Sequence, residues 1–190
     1  IGIGNSLPTS AQTAFSPVVA AAPTVNNRLD ISATELALIL PGFSVVNIGD
    51  ESAGTGDVYL GFVGTQISTG EYLNRTQIFG GSVFVTRDQD INANVSEVRL
   101  VARTGNIVVN GRLGWAGNNL FAERNPWLRL EAAGNIFVNA GIYATNRLSL
   151  TAGKGTGTGS ITVSSTGSLW TSDAAGSLRL IEVVAGHTSG

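Results

Sequence analysis

The hexapeptide GNIVVN, residues 105–110, nearly recurs as GNIFVN, residues 134–139, and this repetition constrains the fold more than any other feature of the sequence. The two copies start 29 residues apart and differ only at Val108 and Phe137. The residues before them are also alike, with VRLVART before the first copy and LRLEAA before the second. A chain that coils and places the same pattern in successive turns produces such a repeat.

Short apolar alternations surround the repeat. A three-residue opener recurs as VRL (98–100), LRL (128–130), LSL (148–150) and LRL (178–180), and a second apolar segment follows a glycine-bearing turn. Alternation with a period of two is typical of half-buried strands. It predicts a core formed by twelve residues, namely Val98, Leu100, Ile107, Val109, Leu128, Leu130, Ile136, Val138, Leu148, Leu150, Ile161 and Val163.

Short strands between glycine turns also suit a sandwich or a barrel. Two observations favour a coil instead. A hairpin sandwich has no reason to repeat its sequence, whereas stacked turns place equivalent residues above one another. Asparagine also recurs at equivalent positions, Asn106 with Asn135 and Asn110 with Asn139. Strands about 4.8 Å apart allow such amides to form a hydrogen-bonded stacking ladder.

We therefore predict an all-β fold, a right-handed parallel β-helix or solenoid, because parallel crossovers are overwhelmingly right-handed. The solenoid is expected over 32–190, with one short capping helix near its start. That helix is predicted within 32–42, where Ser32 and Glu35 have capping-box spacing and Pro41 stops the pattern.

Two segments depart from the repeat. Residues 1–31 lack the alternation and contain three prolines, so an extended N-terminal arm or end cover is expected there. An insertion at 114–127 carries Trp115, Phe121 and Trp127. These aromatic side chains are predicted either to cover the flank of the coil or to contact a ligand or partner.

Composition excludes several classes of function. Charged residues make up 13% of the chain, about half the usual quarter, and the net charge of −2 provides no electrostatic footprint for nucleic acid. The chain has no cysteine, so it has no disulfides, thiolate metal sites or cysteine nucleophiles. The longest apolar stretch, at 16–25, is too short and too proline-broken to span a bilayer. With no methionine and Ile1 first, we expect a processed chain or a segment of a longer one.

The repeat style resembles that of a known family. ISATELALILPGFSVVNIGDESAGTGDVYLG (31–61) and LRLEAAGNIFVNAGIYATNRLSLTAGKGTGTGSITV (128–163) resemble the filamentous-haemagglutinin-like repeat proteins, which are very large bacterial exoproteins with parallel β-helix shafts. The resemblance covers about 31–190. It implies secretion, a place outside the cell or on the bacterial surface, and an adhesive or shaft-building role. This chain departs from the family by its short length and its proline-bearing start.

No residue pattern predicts catalysis, a metal or a cofactor. Asp88 and Asp90 lie two apart, as in acidic clusters of pectin-cleaving β-helices, but a polar turn is the favoured interpretation. Asp50 and Asp57 flank a turn of calcium-loop composition, yet the Gly-Gly-x-Gly-x-Asp repeat does not occur. His187 is the only histidine, and no nucleophile is placed near it. In KGTGTGS the lysine precedes the glycines, unlike in a phosphate-binding loop.

Two asparagines, Asn74 and Asn94, head N-x-S/T triplets, which arise often by chance in a chain rich in these residues.

The expected function is structural. Outward-facing Val101, Val108 and Phe137 predict an apolar flank, which usually marks a contact surface. The ends of a coil are unpaired strand edges that invite another chain, and LRLIEVVAGHTSG (178–190) begins a turn with no visible cap. We expect a module of a surface fibre, bound head to tail to copies of itself or continuous with a longer chain. The alternative is a carbohydrate-binding or carbohydrate-cleaving β-helix that contacts surface glycans through the aromatic side chains of 114–127.

Overall fold

The computed structural model describes residues 28–29, 44–61, 75–89, 96–114, 127–144, 146–171 and 180–186. Within these ranges all regular structure is β, and no helix occurs. The expected capping helix within 32–42 lies outside the described residues, as do Asp90, Trp115, Phe121 and His187. The expected arm at 1–31 is described only at Arg28–Leu29.

The described residues form fourteen strands. In chain order they are β1 (Arg28–Leu29), β2 (Val46–Ile48), β3 (Asp57–Leu60), β4 (Arg75–Gly80), β5 (Val83–Val85), β6 (Glu97–Ala102), β7 (Ile107–Val109), β8 (Trp127–Ala132), β9 (Ile136–Val138), β10 (Gly141–Ala144), β11 (Arg147–Ala152), β12 (Ile161–Val163), β13 (Ser168–Thr171) and β14 (Leu180–Val184).

The strands form two long sheets and one short sheet, and every pairing is parallel. The first sheet has the order β14-β11-β8-β6-β4-β2, and the second has the order β1-β3-β5-β7-β9-β12. The third pairs β10 with β13 and is extended by single bridges from Leu113 to Gln89 and to Ile142. The chain visits the sheets in turn and returns one strand further along. This is a parallel β-solenoid, as the sequence repeat predicts, and we call each of its turns a rung.

The core runs along the inside of the solenoid. Side chains in equivalent positions of successive strands form columns, such as Ile48, Ile78, Leu100, Leu130, Leu150 and Val183 in the first sheet. Of the twelve residues expected in the core, the ten that precede β12 are fully buried. Ile161 in β12 is only half-buried, and Val163 is 44% exposed.

The expectation that Val163 belongs to the core is therefore wrong. Its side chain points inward like that of Val138, with which it is in register. However, β12 is the last strand of the second sheet among the described residues, so no further strand covers this valine. Val163 therefore has packing neighbours from one adjacent rung only among the described residues, and its side chain stays partly in contact with solvent.

The glycine in the repeated hexapeptide has a packing reason. A Cβ on Gly134 would lie 2.5 Å from the Oδ1 atom of Asn106 in the preceding rung. A Cβ on Gly105 would likewise lie 2.1 Å from the Oγ atom of Ser82. Polar side chains of one rung thus occupy the space beside the backbone of the next, and only glycine leaves that space open.

Candidate functional site

A column of polar side chains runs along one edge of the second sheet. Its members each precede an inward-facing aliphatic residue, and they are Asp57, Ser82, Asn106, Asn135 and Ser160. Four of these side chains accept the backbone N–H of the next rung, at 3.0 Å for Ser82 N to Asp57 Oδ1, 3.4 Å for Asn106 N to Ser82 Oγ, 2.8 Å for Asn135 N to Asn106 Oδ1 and 2.9 Å for Ser160 N to Asn135 Oδ1. The column supplies acceptors at the corner where a strand begins.

The two predicted asparagine pairs use different hydrogen bonds. Asn139 Nδ2 donates to Asn110 Oδ1 at 2.8 Å, which is the amide-to-amide bond expected of a stacking ladder. Asn106 instead accepts from the backbone of Asn135. The difference follows from position, since Asn106 and Asn135 precede strands whereas Asn110 and Asn139 follow them. Both pairs join adjacent rungs.

An apolar column lies on the outer face of the second sheet. Tyr59, Phe84, Val108 and Phe137 are in register, and all four are half-buried. The rings of Tyr59 and Phe84 stack with centroids 4.7 Å apart and an angle of 13° between their planes. Because these two rings face each other along the solenoid axis, they contribute to packing between rungs.

A buried ion cluster lies on the outer face of the first sheet, and the sequence pattern does not predict it. Glu131 has a side chain that is 1% exposed, and it pairs with Arg99, Arg129 and Lys154. The distance from Arg99 Nη2 to Glu131 Oε2 is 2.8 Å. Burial alone would raise the pKa of Glu131, but hydrogen bonds and charges from Lys154 and Arg99 hold this pKa below its usual value.

Arg99 extends the cluster across the sheet. Its Nη1 donates to Glu51 Oε1 at 3.1 Å and to Gln77 Oε1 at 3.2 Å, and its guanidinium lies 5.6 Å from the ring centroid of Phe79. Burial would lower the pKa of Arg99, but its contacts with Glu131 and Glu51 raise it above the usual value. The cluster therefore connects β4, β6, β8 and the turns after β2 and β11.

Trp127 is the one predicted ligand contact of the insertion that the structure describes. Its ring lies on the outer face of the first sheet, half-buried, with the guanidinium of Arg147 4.7 Å and that of Arg129 5.5 Å from the ring centroid. Arg129 lies in the same strand as Trp127, whereas Arg147 lies in the next rung, so the second of these cation–π contacts joins adjacent rungs. Trp127 thus takes part in packing between rungs.

The acidic residues considered for metal binding have structural partners. Asp50 Oδ1 accepts from Ser52 N at 2.6 Å and from Ala53 N at 3.0 Å, and the hydrogen bonds from Ser52 and Ala53 lower the pKa of Asp50. Asp88 Oδ1 accepts from Arg112 N at 2.8 Å. Within the described residues, no group of three or more His, Cys, Asp or Glu is placed to hold a metal ion.

Exposed apolar side chains concentrate at one end of the solenoid. Of the six large hydrophobic residues that are exposed in the described ranges, five lie in the last two rungs. We call them the β14 end, and they are Val163, Trp170, Leu180, Ile181 and Val183. Val163, Ile181 and Val183 point inward, in register with buried Val138, Leu148 and Leu150. An uncapped edge is expected from the sequence at 178–190, but the local apolar alternation does not distinguish these exposed side chains from buried ones, so the exposure of Val163 in particular is not predicted.

The opposite end differs. Ile48 shares a column with Val183, yet Ile48 is 6% exposed and Val183 is 51% exposed. At the β14 end the backbone edges of β12, β13 and β14 are also without a further strand among the described residues. The β14 end thus combines apolar side chains with backbone groups that can pair, and it is the candidate binding surface of the molecule.

Comparisons with family models, curated proteins and solved structures find no match to this chain. The resemblance to filamentous-haemagglutinin-like repeats rests on the quoted residues, and the solenoid fold is consistent with it. Across the part of the chain that the structure describes, no helix has the length and hydropathy of a membrane-spanning segment.

Proposed function

We propose that the chain is a structural, non-catalytic segment of an extracellular or bacterial surface fibre, a right-handed solenoid that self-associates end to end. The observation that carries this proposal is the β14 end, where Val163, Ile181 and Val183 are 39–51% exposed although they point into the core. Burying them requires a further rung. A second copy of the chain, or a continuation of it, supplies one by the same parallel pairing that joins the existing rungs.

The contacts between rungs support a mechanical role. Backbone ladders, the polar column, the asparagine pair and the Glu131 cluster all join successive rungs. Tension along the axis therefore loads many hydrogen bonds together. The acidic side chains described above are engaged in these contacts or in turns, which favours a shaft over an enzyme.

Electron microscopy and sedimentation velocity over a concentration series test this proposal. We expect short rods in dilute solution and longer linear assemblies as the concentration rises. Val183→Asp should suppress assembly, because it places a charge on the surface that associates. Thr104→Asp adds the same charge at an exposed corner away from both ends, so it should assemble like the parent chain. A parent chain that stays monomeric at high concentration would overturn the proposal.

A second candidate, carbohydrate binding, is favoured by one aromatic pair. Trp170 is 47% exposed, and its ring centroid lies 5.8 Å from that of Tyr143 at an interplanar angle of 51°. Exposed aromatic faces of this kind can stack on sugar rings. Under this alternative, polysaccharides change tryptophan fluorescence, and Trp170→Ala abolishes the change while Trp127→Ala leaves it. A shaft without a sugar site shows no change with either variant.

A further inference from the structure

We infer that copies associate head to tail in one register, in which the β14 edge pairs with the β2 edge of the next copy and the β12 edge pairs with its β1 edge. This inference rests on the proposed end-to-end association and specifies its partner surface. The occupant of the β14 end is then the opposite end of a second copy. Three features of the described strands support this assignment.

The first feature is that the two ends are stepped in complementary ways. At one end, β11 and β12 lie in the same rung, and β14 pairs with β11. Among the described strands no partner of β12 lies beside β14, so the first sheet extends one strand beyond the second at this end. At the other end β1 pairs with β3, whose rung also contains β2, so the second sheet extends one strand beyond the first. When copies meet head to tail, β14 of one copy and β1 of the next complete a single rung.

The second feature is the match of side chains across the contact. Continuing the columns places Val46 of the next copy over Ile181 and its Ile48 over Val183. In the second sheet, the backbone register places position 29 of the next copy beside Ile161. Apolar inward positions thus meet apolar inward positions in both of these columns of the first sheet. The outward position Asn47 lies beside Glu182, and an amide there can donate to the carboxylate.

The third feature concerns the alternative contact, a two-fold dimer in which the β14 ends of two copies face each other. Such a dimer pairs fewer strand edges than the head-to-tail contact does. If two β14 ends met, β14 could pair with its own copy, but the second sheet of each molecule stops one rung earlier. Two strands would then be missing between the facing edges on that side, which leaves a separation of about 14 Å instead of about 4.8 Å. A two-fold contact therefore leaves the β12 edges unpaired, whereas the head-to-tail contact pairs both sheets.

The burial of Ile48 sets the strength of the contact. Ile48 is only 6% exposed in the single chain, whereas Ile181 and Val183 are 39% and 51% exposed, so most of the apolar surface that pairing would newly bury belongs to the β14 end. We therefore expect reversible association that depends steeply on concentration.

Single-cysteine variants test the register directly, because the chain has no cysteine of its own. Asn47→Cys and Glu182→Cys are prepared separately and mixed under oxidising conditions at a concentration where the parent chain assembles. In the inferred register the two Cα atoms lie about 4.8 Å apart, within the range that a disulfide spans. We expect a disulfide-linked dimer containing one copy of each variant, identified by mass spectrometry.

Two controls make the result specific. Ser149→Cys lies in the same outward column, one rung further in, and should not link to Asn47→Cys because the distance is about 10 Å. Arg28→Cys mixed with Ser160→Cys tests the β1–β12 pairing independently, should either first variant fold poorly. Circular dichroism of each variant verifies that the strands are retained.

The outcomes separate the register from the function. Linked dimers of Glu182→Cys with itself show a two-fold contact and overturn the inference. A link from Asn47→Cys to Ser149→Cys shows a register shifted by one rung and overturns it as well. Assembly of the parent chain without either mixed disulfide overturns the register but leaves the proposed fibre intact. Absence of both assembly and disulfides overturns the two together.

Discussion

Val109 and Val163 occupy the same inward column of the second sheet, yet Val109 is fully buried and Val163 is 44% exposed. Both are valines in three-residue strands with the same alternation. They differ in their place in the stack, because among the described strands Val109 has a rung on each side and Val163 has one on a single side. The comparison shows that position along the axis determines what a residue contributes in a solenoid.

The same contrast holds for ion pairs on the outer face of the first sheet. Glu131 in the interior contacts three cations and is 1% exposed, whereas Glu182 in the last strand pairs with Arg147 at 2.6 Å and is 43% exposed. An ion pair in an interior rung is shielded from water by the rungs above and below it. End-rung pairs remain in contact with water, where ion pairs contribute little.

The largest difference in the loss of unfolding free energy is expected between Glu131→Gln and Glu182→Gln. Removing the carboxylate of Glu131 leaves the cations of a buried cluster uncompensated, and we expect the free energy of unfolding to fall by about 3 kcal/mol. Glu182→Gln should change it by less than about 1 kcal/mol. Urea unfolding followed by circular dichroism measures both. Equal effects would show that the interior cluster is as solvated as the end pair.

Acid titration sharpens the comparison of the two carboxylates. The pKa of Glu131 is lower in the folded chain than in the unfolded chain, so the unfolded state takes up its proton first as pH falls. The stabilisation is complete above roughly pH 4.3, the ordinary carboxyl pKa, and is lost as pH falls through the folded pKa. We expect Glu131→Gln to flatten the dependence of the unfolding free energy on pH in this acidic window. A parallel curve for variant and parent would contradict this assignment.

The next largest difference in unfolding free energy is expected between Val109→Ala and Val163→Ala, two substitutions in the same inward column of the second sheet. Val109→Ala leaves a cavity between two rungs and should lower the free energy of unfolding by about 2 kcal/mol. Val163→Ala removes the same atoms where water already reaches, and about 0.5 kcal/mol is expected in the isolated chain. The comparison must be made at a concentration where the chain is monomeric. A Val163→Ala cost equal to that of Val109→Ala would mean that β12 is covered in solution.

The smallest difference is expected between the two asparagine pairs. Asn106→Ala leaves the backbone N–H of Asn135 without its 2.8 Å acceptor at a half-buried corner, and we expect a loss of about 1 kcal/mol. Asn110→Ala removes a bond between exposed side chains, for which about 0.5 kcal/mol is expected. Thermal unfolding of the two variants under identical conditions measures the order. If Asn110→Ala cost more than Asn106→Ala, the Asn110–Asn139 bond would be the more stabilising of the two, which would contradict this expectation.

Sequence repetition was sufficient to predict the parallel coil and the side chains that fill its interior rungs. The alternation around Leu100 and Ile107 recurs around Leu130 and Ile136, and register follows once one copy is stacked on the other. Val163 shows where this inference stops. Its neighbours in sequence resemble those of Val138, and being in the last described strand of its sheet is not a property that the local sequence encodes.

The Glu131 cluster was missed for a related reason. Lys154 is 23 residues from Glu131 in sequence and meets it only through the stacking of adjacent rungs. The turn that carries Lys154 has an irregular length, so spacing alone does not align the two side chains. The one signal available was that Lys154 is the only lysine of the chain.

Hydrogen exchange followed by mass spectrometry, at low and high protein concentration, tests most directly whether the β14 end is open and binds another copy. In dilute solution, we expect the amides of β12 and β14 to exchange far faster than those of β8, which is paired on both sides. At high concentration β12 and β14 should become protected while β8 stays unchanged. Protection of β14 equal to that of β8 in dilute solution, or exchange that ignores concentration, would contradict the account.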